Sequence, residues 1–556
     1  MFENRPFGNR LKLTVRGASH APCLEFSLEG FPAGVRVDSA ALAAFMERRA
    51  PGRDELSTAR KEPDRVVFAS GLAEGVTTGE TVVGRIANTD CRPRDYGGER
   101  TIPRPGHADF GQWIEYGAIP SGGGANSGRL TAAICGAGAL CRQWLGERGI
   151  SVAARVESIA GRKDGFEEAI LAAKADGDSV GGVVRCEVTG VPAGVGGALF
   201  AGLETELAGA VFGIPGVKGV EFGNGFAAAN LRGSENNDEF TVDERGVSTC
   251  TNRHGGILGG RTTGMPIGFR VAFKPTPTIF RPQPSVDLAS MRPAVCEMKG
   301  RHDPCIVRRA VPVVEAVAAF AIADQLLMRA AVLPRICLTL TGSTIAEDLE
   351  QYRAQRYFCD LVELRADLLT ADERTRAAEF PALVPVPAIL THRRRADGGA
   401  FDGEEEARVR FFETALLSAK PFAYVDFEDD FRHAGLSALA RARGTRVIRS
   451  LHCFGGPVAD IAARCRALVG ASGEIAKVAF MPKEKSDVER LFAETREFVD
   501  VPHVVCAMGS LGLPSRIHAA RTHSLWTYAS VGGLKELGHV SAQELVRDYR
   551  FRVPEE

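Results

Sequence analysis

VLPRICLTL, at residues 332–340, separates two halves of the sequence that differ in pattern. Before it, glycine is dense and clustered, and short apolar segments alternate with long Gly- and Pro-rich loops. After it, short apolar segments recur regularly with helical patterns between them. The change predicts two domains, at residues 1–333 and 334–556, in a chain whose 556 residues are ample for both.

The second half contains eight short apolar segments of the kind that form buried parallel strands. They are ICLTL (336–340), LVELR (361–365), AILTHR (388–393), AYVDFE (423–428), RVIRSLH (446–452), AKVAFM (476–481), HVVCAM (503–508) and LWTYAS (525–530). Helical patterns such as GEEEARVRFFETALLSA separate most of them. The alternation predicts an α/β fold, a (β/α)8 barrel whose chemistry lies at the C-terminal ends of its strands.

Polar residues gather at the ends of these segments, although strand propensity gives no reason for them. They are Glu363, Arg365, Arg393, Glu428, His452 and Lys477. Lys477 has apolar strand neighbours, and burial there favours the neutral, nucleophilic amine, although a merely paired or snorkelling lysine is the alternative. His452 can move protons beside an imine, and Arg365 and Arg393 can hold a carboxylate. Together these residues predict a Schiff-base enzyme that acts on a carboxylated ketone.

Bulk composition argues against several other classes of protein. Charged residues make up 25% and the net charge is −1, so we expect neither a nucleic-acid nor a membrane partner. The apolar run at 311–333 is interrupted by polar residues, which predicts a core helix starting near Pro312. The thirteen cysteines form no C-x-x-C pair, and no metal-ligand spacing is evident, so we expect reduced thiols and no bound metal. Because the sequence also starts without an apolar signal core, we expect a cytoplasmic protein.

The first half combines glycine-rich loops, clustered cations and two unusual histidines. GGGANSGRLTA (122–132) places a glycine loop before a helix pattern, and a helix N-terminus of that kind suits an anion. Cations are concentrated at 46–64 and in KGRHDPCIVRRAVP (299–312), where Asp303 is the single acid. These cations are numerous enough to bind several phosphate or carboxylate groups. For residues 46–64, the alternative is that the charged side chains simply face solvent.

The second half resembles the type I 3-dehydroquinate dehydratases over about residues 335–553. The matching stretches are VELRAD (362–367), THRRRADGG (391–399), IRSLHCFGGP (448–457), IAKVAFMPKEKSDV (475–488), AMGSLGLPSRI (507–517) and ELGHVSAQEL (536–545). The resemblance implies that Lys477 forms an imine with 3-dehydroquinate, that His452 is the general acid and base, and that Asp397 replaces a glutamate that orients the histidine. It also implies that substrate is bound by Thr339, Glu363, Arg365, Arg393, Arg516 and His539.

This half departs from the family's pattern at two substrate-binding positions. His539 replaces a glutamine, and Lys535 aligns with a serine. These changes weaken substrate contacts, so a degenerate barrel or an imine-forming aldolase stays open as an alternative.

The first half resembles chorismate synthase from about Gly8 to Arg329. The matching stretches are RKEPD (60–64), EGVTTGETV (74–82), RPGHAD (104–109), GVKGVEFGNGF (216–226), NLRGSENNDEF (230–240), HGGILGG (254–260), KPT (274–276) and GRHDPC (300–305). The resemblance implies an α+β fold, a β-α-β sandwich, usually in a homotetramer. It also implies 1,4-elimination of phosphate from 5-enolpyruvylshikimate 3-phosphate, with reduced FMN as cofactor and NADPH as a candidate reductant.

The same resemblance assigns roles to individual residues. His20 and His107 would be proton donors, Asp303 would assist deprotonation beside the flavin, and Arg49 would hold substrate or a nicotinamide phosphate. FMN would be contacted by Ala125, Asn126, Ser127, Pro215, Gly216, Gly259, Lys274, Pro275, Thr276, Pro277, Thr278 and Arg301. Ala125 stands where many members carry arginine, and Glu55 where many carry a basic residue. We therefore expect a bifunctional lyase of the shikimate pathway that acts on two small-molecule substrates.

Overall fold

The computed structural model describes residues 3–52, 56–57, 62–90, 100–244, 246–298, 303–332, 335–471, 473–531 and 535–552. It consists of two compact units, Met1–Arg329 and Ala330–Glu556.

The first unit is built from antiparallel strands and seven labelled helices among the described residues. The strands are β1 (Lys12–Arg16), β2 (Cys23–Glu29), β3 (Val66–Ser70), β4 (Leu72–Ala73), β5 (Val76–Thr77), β6 (Val82–Ala87), β7 (Ser151–Ile159), β8 (Gly182–Thr189), β9 (Val217–Phe222), β10 (Phe240–Asp243), β11 (Gly246–Thr249), β12 (Ile257–Leu258), β13 (Arg261–Thr262), β14 (Ile267–Phe273), β15 (Gln283–Asp287) and β16 (Arg292–Cys296). The helices are α1 (Ser39–Arg49), α2 (Asp109–Tyr116), α3 (Thr131–Gly146), α4 (Phe166–Ala175), α5 (Leu203–Phe212), α6 (Gly233–Asn236) and α7 (Val307–Val332).

Two four-stranded sheets and the helices between them form the core of this unit. The sheet orders are β1-β2-β6-β3 and β7-β8-β14-β9. Helix α3 packs against β2 and β6 of the first sheet and against β7 of the second. It also lies close to α7, because a Cβ on Gly138 would come within 2.3 Å of the Ala316 Cβ. The predicted β-α-β sandwich is confirmed.

Helix α7 is a core helix, but it begins earlier than the sequence suggested. The segment Val307–Arg329 is long and apolar enough to cross a membrane, yet 83% of its most apolar window is buried inside the protein. The helix starts at Val307, so the prediction of a start near Pro312 is wrong. Proline lacks the N–H that would reach the Arg308 carbonyl, and this interior helix tolerates the loss. The first turn of α7 contains Arg308 and Arg309, so the apolar pattern of the sequence does not extend over it.

The second unit is a parallel barrel, and all eight predicted strands are present in it. The strands are β17 (Arg335–Leu340), β18 (Leu361–Arg365), β19 (Ala388–Thr391), β20 (Tyr424–Glu428), β21 (Arg446–Cys453), β22 (Ile475–Phe480), β23 (His503–Ala507) and β24 (Trp526–Ser530). The helices are α8 (Ile345–Gln355), α9 (Ala371–Thr375), α10 (Phe380–Leu383), α11 (Glu405–Leu416), α12 (Ala434–Ala442), α13 (Ile461–Leu468), α14 (Lys485–Thr495), α15 (Gly509–Ile517) and α16 (Ala542–Arg547).

Strands β17 to β23 pair in sequence order and β24 pairs with β17, which makes a nearly closed barrel with β23 and β24 at its two edges. Every pair is parallel, for example Thr339 beside Glu363 and Ser450 beside Lys477. Strands such as β18 and β22 are buried along their whole length, as expected where helices cover the outside of a parallel sheet. The fold therefore gathers the C-terminal strand ends around one polar site.

Candidate active sites

The first unit contains a cavity of about 600 Å³ that collects most of the predicted cofactor and catalytic residues. Its lining includes His20, His107 and Asp303, which are far apart in the sequence. It also includes the predicted cofactor contacts Ala125, Asn126, Ser127, Pro215, Gly216, Lys274, Pro275, Thr276, Pro277 and Thr278. Its charged lining residues are Arg49, Arg104, Arg129, Lys218, Lys274, Arg309 and Asp303. Among the described lining residues, six cations accompany one carboxylate, which suits a polyanionic ligand.

The glycine loop at 122–124 passes between the two candidate histidines. All three glycines have positive φ, which other residues adopt only at a cost. A Cβ on Gly122 would lie 2.4 Å from Nε2 of His20, and one on Gly123 would lie 3.2 Å from Nε2 of His107. A side chain at 122 would therefore displace the His20 imidazole, and one at 123 would press on His107, while at 124 the positive φ favours glycine.

His107 lies against a buried carboxylate. Its Nδ1 is 2.6 Å from Oδ1 of Asp109, which is also bound by Arg104 through Nε at 2.7 Å and Nη2 at 2.8 Å. Burial and the charge of Arg104 lower the pKa of His107, while the charge of Asp109 opposes them. Asp109 is a site residue that the sequence pattern did not single out, although it stands two residues after His107 in RPGHAD.

Arg49 is completely buried at the cavity wall. Its guanidinium donates to Asp64 at 2.7 Å, to the Thr131 hydroxyl at 3.1 Å and to the Gly128 carbonyl at 3.0 Å. Asp64 also accepts a hydrogen bond from Arg129. These contacts hold two cations near the N-terminus of α3, where an anion would be stabilised.

Asp303 pairs with Arg309 from the first turn of α7. Arg309 also donates from Nε to the Arg49 carbonyl at 3.1 Å, which ties α7 to α1. Across the cavity, Lys274 donates to the Gly106 carbonyl next to His107. Burial and the charge of Lys218 lower the pKa of Lys274.

Some residues that the sequence suggested for ligand binding in this unit do not line the cavity. Gly259 lies in the turn between β12 and β13, outside the cavity lining. Arg48 points elsewhere, since it binds Glu315 of α7 through two bonds of 2.7 and 2.9 Å. Arg301 and Glu55 lie outside the described residues.

In the barrel, Lys477 is buried and bound by carboxylates. Its Nζ lies 2.8 Å from Asp426 and 3.6 Å from Glu363, and 4.5 Å from the centre of the Tyr528 ring. The sequence suggested apolar surroundings because the neighbours along β22 are apolar. The residues on either side of Lys477 face away, while β20 and β18, which do not pair with β22, supply the carboxylates.

Asp426 is a functional candidate of the barrel that the sequence pattern did not single out. It accepts hydrogen bonds from Lys477 at 2.8 Å, Arg393 at 3.0 Å and the Ser450 hydroxyl at 2.5 Å. Burial alone would raise the pKa of Asp426, but the charges of Lys477 and Arg393 hold it far below its usual range. Asp426 stands two residues before Glu428 on β20, and residues two apart share one face of a strand. That spacing could have identified Asp426 from the sequence.

Glu363 forms the opposite side of the same cluster. It accepts from the hydroxyls of Thr339 and Thr391, each at 2.8 Å, and lies 3.6 Å from Arg393. Although burial would raise the pKa of Glu363, Lys477 and Arg393 lower it. Lys477, Arg393, Glu363 and Asp426 thus form a buried set of two cations and two anions.

His452 is near this cluster, but Asp397 does not orient it. The Nδ1 of His452 is buried without a hydrogen-bond partner among the described residues. Asp397 instead accepts a hydrogen bond from Arg394 at 2.8 Å, on the loop after β19. Burial and the charges of Arg393 and Lys477 lower the pKa of His452 well below its ordinary value. The expectation that Asp397 orients the imidazole is therefore not met in this structure.

Arg516 and His539 supply polar groups with no partner in the described part of the barrel. Nε and Nη1 of Arg516 and Nδ1 of His539 are buried and make no hydrogen bond there, while Arg516 Nη2 donates to the Leu537 carbonyl at 3.0 Å. Burial and the charge of Arg516 lower the pKa of His539. The side chain of Lys535 lies outside the described residues.

Two other strand-end residues are held by charged neighbours. Arg365 binds Asp367 through two bonds of 2.9 and 2.7 Å. Glu428 binds Arg408 of α11, whose side chain is fully buried. Glu428 therefore links β20 to α11 through an ion pair. Arg365 is already paired with the Asp367 carboxylate before any substrate binds.

The fold and the two sites define a chain of two enzyme domains, both of the lyase class. The chorismate synthase family matches residues 11–327, and the type I 3-dehydroquinase family matches residues 336–554. The chain therefore belongs to the chorismate synthase family, and it carries a type I 3-dehydroquinase domain after the synthase domain. Together the two domains support a bifunctional role in the shikimate pathway.

Individual relatives resemble one half of the chain or the other. Chorismate synthase of Methanocella arvoryzae is 43% identical over 348 residues, which cover 58% of this chain and 94% of that protein. Chorismate synthase of Pyrococcus abyssi is 43% identical over 348 residues, covering 58% and 97%. A crystal structure of chorismate synthase shares 26% identity, covering 63% of this chain and 98% of that one, with a TM-score of 0.47. The 3-dehydroquinate dehydratase structure from Enterococcus faecalis shares 25% identity, covering 40% and 95%, with a TM-score of 0.36.

Proposed function

We propose that the first domain eliminates phosphate from 5-enolpyruvylshikimate 3-phosphate to give chorismate, and that the second dehydrates 3-dehydroquinate to 3-dehydroshikimate. The observation that carries the first activity is the cationic cavity with two histidines flanking a glycine loop. The observation that carries the second is the buried lysine between two carboxylates. We place the boundary at residues 333 and 334, because α7 ends at Val332 and β17 begins at Arg335.

The cavity in the first domain suits reduced FMN together with the substrate. Its volume of about 600 Å³ is typical of sites that bind cofactors and drug-sized ligands. The glycine loop lets backbone approach a planar ring closely, and six cations face the phosphates and carboxylates. Ala125, Asn126, Ser127 and Lys274 would hold the flavin. When bound, reduced FMN supplies the electron density that supports departure of the phosphate.

The protein's own residues orient the substrate and move protons during this elimination. Arg49 and Arg129 bind anionic groups near the start of α3, where the helix dipole adds to their charge. His107 protonates the departing phosphate, and His20 holds a proton on the opposite side of the glycine loop. Asp303, fixed by Arg309, accepts the proton lost from the substrate.

In the second domain, Lys477 is the nucleophile. His452 first takes a proton from the Lys477 ammonium, and the freed amine adds to the ketone of 3-dehydroquinate. The proton then returns to the hydroxyl formed at that carbon, which leaves as water and gives an iminium. His452 then removes a proton next to the iminium carbon and returns it to the departing hydroxyl, which leaves as water. Hydrolysis of the iminium consumes one water and regenerates Lys477. Arg516, with two donors still available, binds the substrate carboxylate.

We also propose that the protein is a homotetramer, with contacts through the first domain. Four large apolar side chains among its described residues are more than four-fifths exposed: Leu199 at 86%, Phe200 at 88%, Phe226 at 84% and Met291 at 81%. A second copy would remove them from water. Sedimentation of the purified chain should give four times the monomer mass of 59.4 kDa.

The first activity is tested by phosphate release under anaerobic conditions. The full-length chain, chemically reduced FMN and 5-enolpyruvylshikimate 3-phosphate should give phosphate and chorismate in equal amounts. His107→Ala should lower the rate on the order of 100-fold, since it removes a general acid. His254→Ala is the control, because His254 lies outside the cavity lining and should leave the rate near that of the unmodified chain. Unchanged activity in His107→Ala would refute the assigned role.

A further inference from the structure

The motif RPGHAD places the two nitrogens of His107 in different surroundings. Nδ1 lies 2.6 Å from Oδ1 of Asp109, whose side chain has no exposed surface. Nε2 lies 3.1 Å from Nη2 of Arg104 and faces the glycine loop of the cavity wall, where a Cβ on Gly123 would be 3.2 Å away. One nitrogen therefore faces a buried carboxylate, and the other faces the reaction cavity.

Asp109 is held as a carboxylate by neighbouring donors. The Arg104 backbone N–H donates to it at 3.0 Å, Arg104 Nε at 2.7 Å and Arg104 Nη2 at 2.8 Å, and Arg100 donates at 3.1 Å. Although burial would raise the pKa of Asp109, the bonds from Arg104 and His107 hold it well below its ordinary range. The group is therefore an acceptor throughout the pH range in which an enzyme works.

We infer that Asp109 is a positioning residue for His107, which it holds with the proton on Nδ1 and with Nε2 directed into the cavity. A neutral imidazole whose Nδ1–H is bound can only accept a proton at Nε2, and the resulting imidazolium can donate that proton to a substrate oxygen. The carboxylate stabilises the imidazolium through the transfer, as the aspartate of a Ser-His-Asp triad does. The inference rests on the proposed role of His107 as the acid of the first domain.

Asp109 is needed because the other groups near His107 oppose the imidazolium. Arg100 and Arg104 lie on its own segment, Lys274 approaches from the loop after β14, and His20 lies across the glycine loop. Burial, Arg104 and Arg100 each lower the pKa of His107, and Asp109 raises it. Removing the carboxylate should therefore make the imidazolium harder to form.

Asp109→Asn in the full-length chain tests this inference. With reduced FMN and 5-enolpyruvylshikimate 3-phosphate, kcat should fall on the order of 100-fold while KM changes less than about threefold. Activity that depends on imidazolium disappears as the pH rises, so the basic limb of the kcat profile should move to lower pH by about one unit. Arg100→Gln is the matched control, because it also removes a bond to Asp109 but should leave the limb in place or move it to higher pH. If both variants shift the limb in the same direction, the inference is wrong.

A second substitution tests the same bond without altering Asp109. Incorporation of Nδ1-methylhistidine at position 107 replaces the donated N–H by a methyl group and leaves Nε2 intact. We expect a loss of kcat similar to that of Asp109→Asn, with FMN binding retained. A full rate with the methylated residue would overturn the inference even if Asp109→Asn failed to fold.

The outcome for His107→Gln separates this inference from the proposed function. If that variant loses phosphate release while Asp109→Asn and the methylated chain keep it, His107 is the acid and Asp109 is only structural. If His107→Gln keeps the full rate, the assignment of the acid fails, and the positioning role fails with it.

Discussion

At the scale of single residues, Lys477 illustrates what sequence can and cannot reveal about a site. Its burial was predictable from the apolar pattern of β22, and its chemistry from His452 on the preceding strand. Its partners were not, because Asp426 and Glu363 come from strands 51 and 114 residues earlier in the chain. Their meeting depends on the order in which the strands close the barrel.

The first prediction concerns the covalent step at Lys477. Borohydride added with 3-dehydroquinate should reduce the iminium and increase the mass of the peptide that contains Lys477. Lys477→Met should abolish that adduct and lower dehydratase turnover roughly 1,000-fold or more. Lys420→Met is the control, since Lys420 is a barrel lysine that binds the Val384 carbonyl away from this cluster. An adduct that persists in Lys477→Met would place the nucleophile elsewhere.

The second prediction concerns Asp426, which balances two buried cations. Asp426→Asn leaves Lys477 and Arg393 with only Glu363, so we expect about 3 kcal/mol less stability for the barrel at pH 7. Because folding lowers the pKa of Asp426, its contribution is complete above the ordinary aspartate range and is lost as the pH falls toward the lowered value. Urea denaturation of both chains at pH 7 and at about pH 3 should therefore show the difference shrinking.

Ser450→Ala is the control for this stability measurement. It removes one hydroxyl from the same carboxylate, which should cost only about 1 kcal/mol. If Asp426→Asn cost no more than Ser450→Ala, the carboxylate would not be balancing the two cations.

At the scale of elements, the glycine loop before α3 is the feature with the most demanding geometry. Its backbone separates His20 from His107, and the three consecutive positive φ values suit only glycine. The sequence predicted an anion-binding loop before a helix. It could not predict that the loop spaces two histidines, because those belong to segments folded against it from elsewhere in the chain.

The third prediction uses that loop. Gly122→Ala would bring a Cβ within 2.4 Å of Nε2 of His20, so the imidazole must move and phosphate release should fall at least about tenfold. Gly117→Ala is a matched control, since Gly117 also has positive φ but a Cβ there meets nothing within 4 Å. Both changes should lower stability by about 1 kcal/mol. Equal phosphate release by the two variants would show that the spacing of the histidines is unimportant.

Elements of the barrel were more predictable than those of the sandwich. Eight buried strands with helices between them leave only a few arrangements, of which a closed barrel is one, and all eight lie where the apolar segments predicted them. The sandwich mixes short hairpins with long loops, so the sequence pattern predicted only an α+β domain. Its β-α-β layers were predicted from the resemblance to chorismate synthase. The start of α7 was missed because its first turn is basic rather than apolar.

At the scale of the whole molecule, the two units carry separate sites with different chemistry. The cavity of the first unit is rich in cations and contains one carboxylate, whereas the barrel cluster balances two cations with two carboxylates. The first suits a polyanion whose phosphate leaves, and the second suits a carboxylated ketone whose carbonyl must meet an amine. We therefore expect the two activities to be lost independently by mutation.

The most direct measurement follows both reactions in one full-length protein that carries Lys477→Met. Chorismate formation from 5-enolpyruvylshikimate 3-phosphate with reduced FMN should match that of the unmodified chain, while 3-dehydroshikimate formation from 3-dehydroquinate should vanish. The reciprocal variant, His107→Ala, should lose chorismate formation and keep the dehydration. Loss of both activities in either variant, or absence of either activity from the unmodified chain, would contradict a bifunctional enzyme with two independent sites.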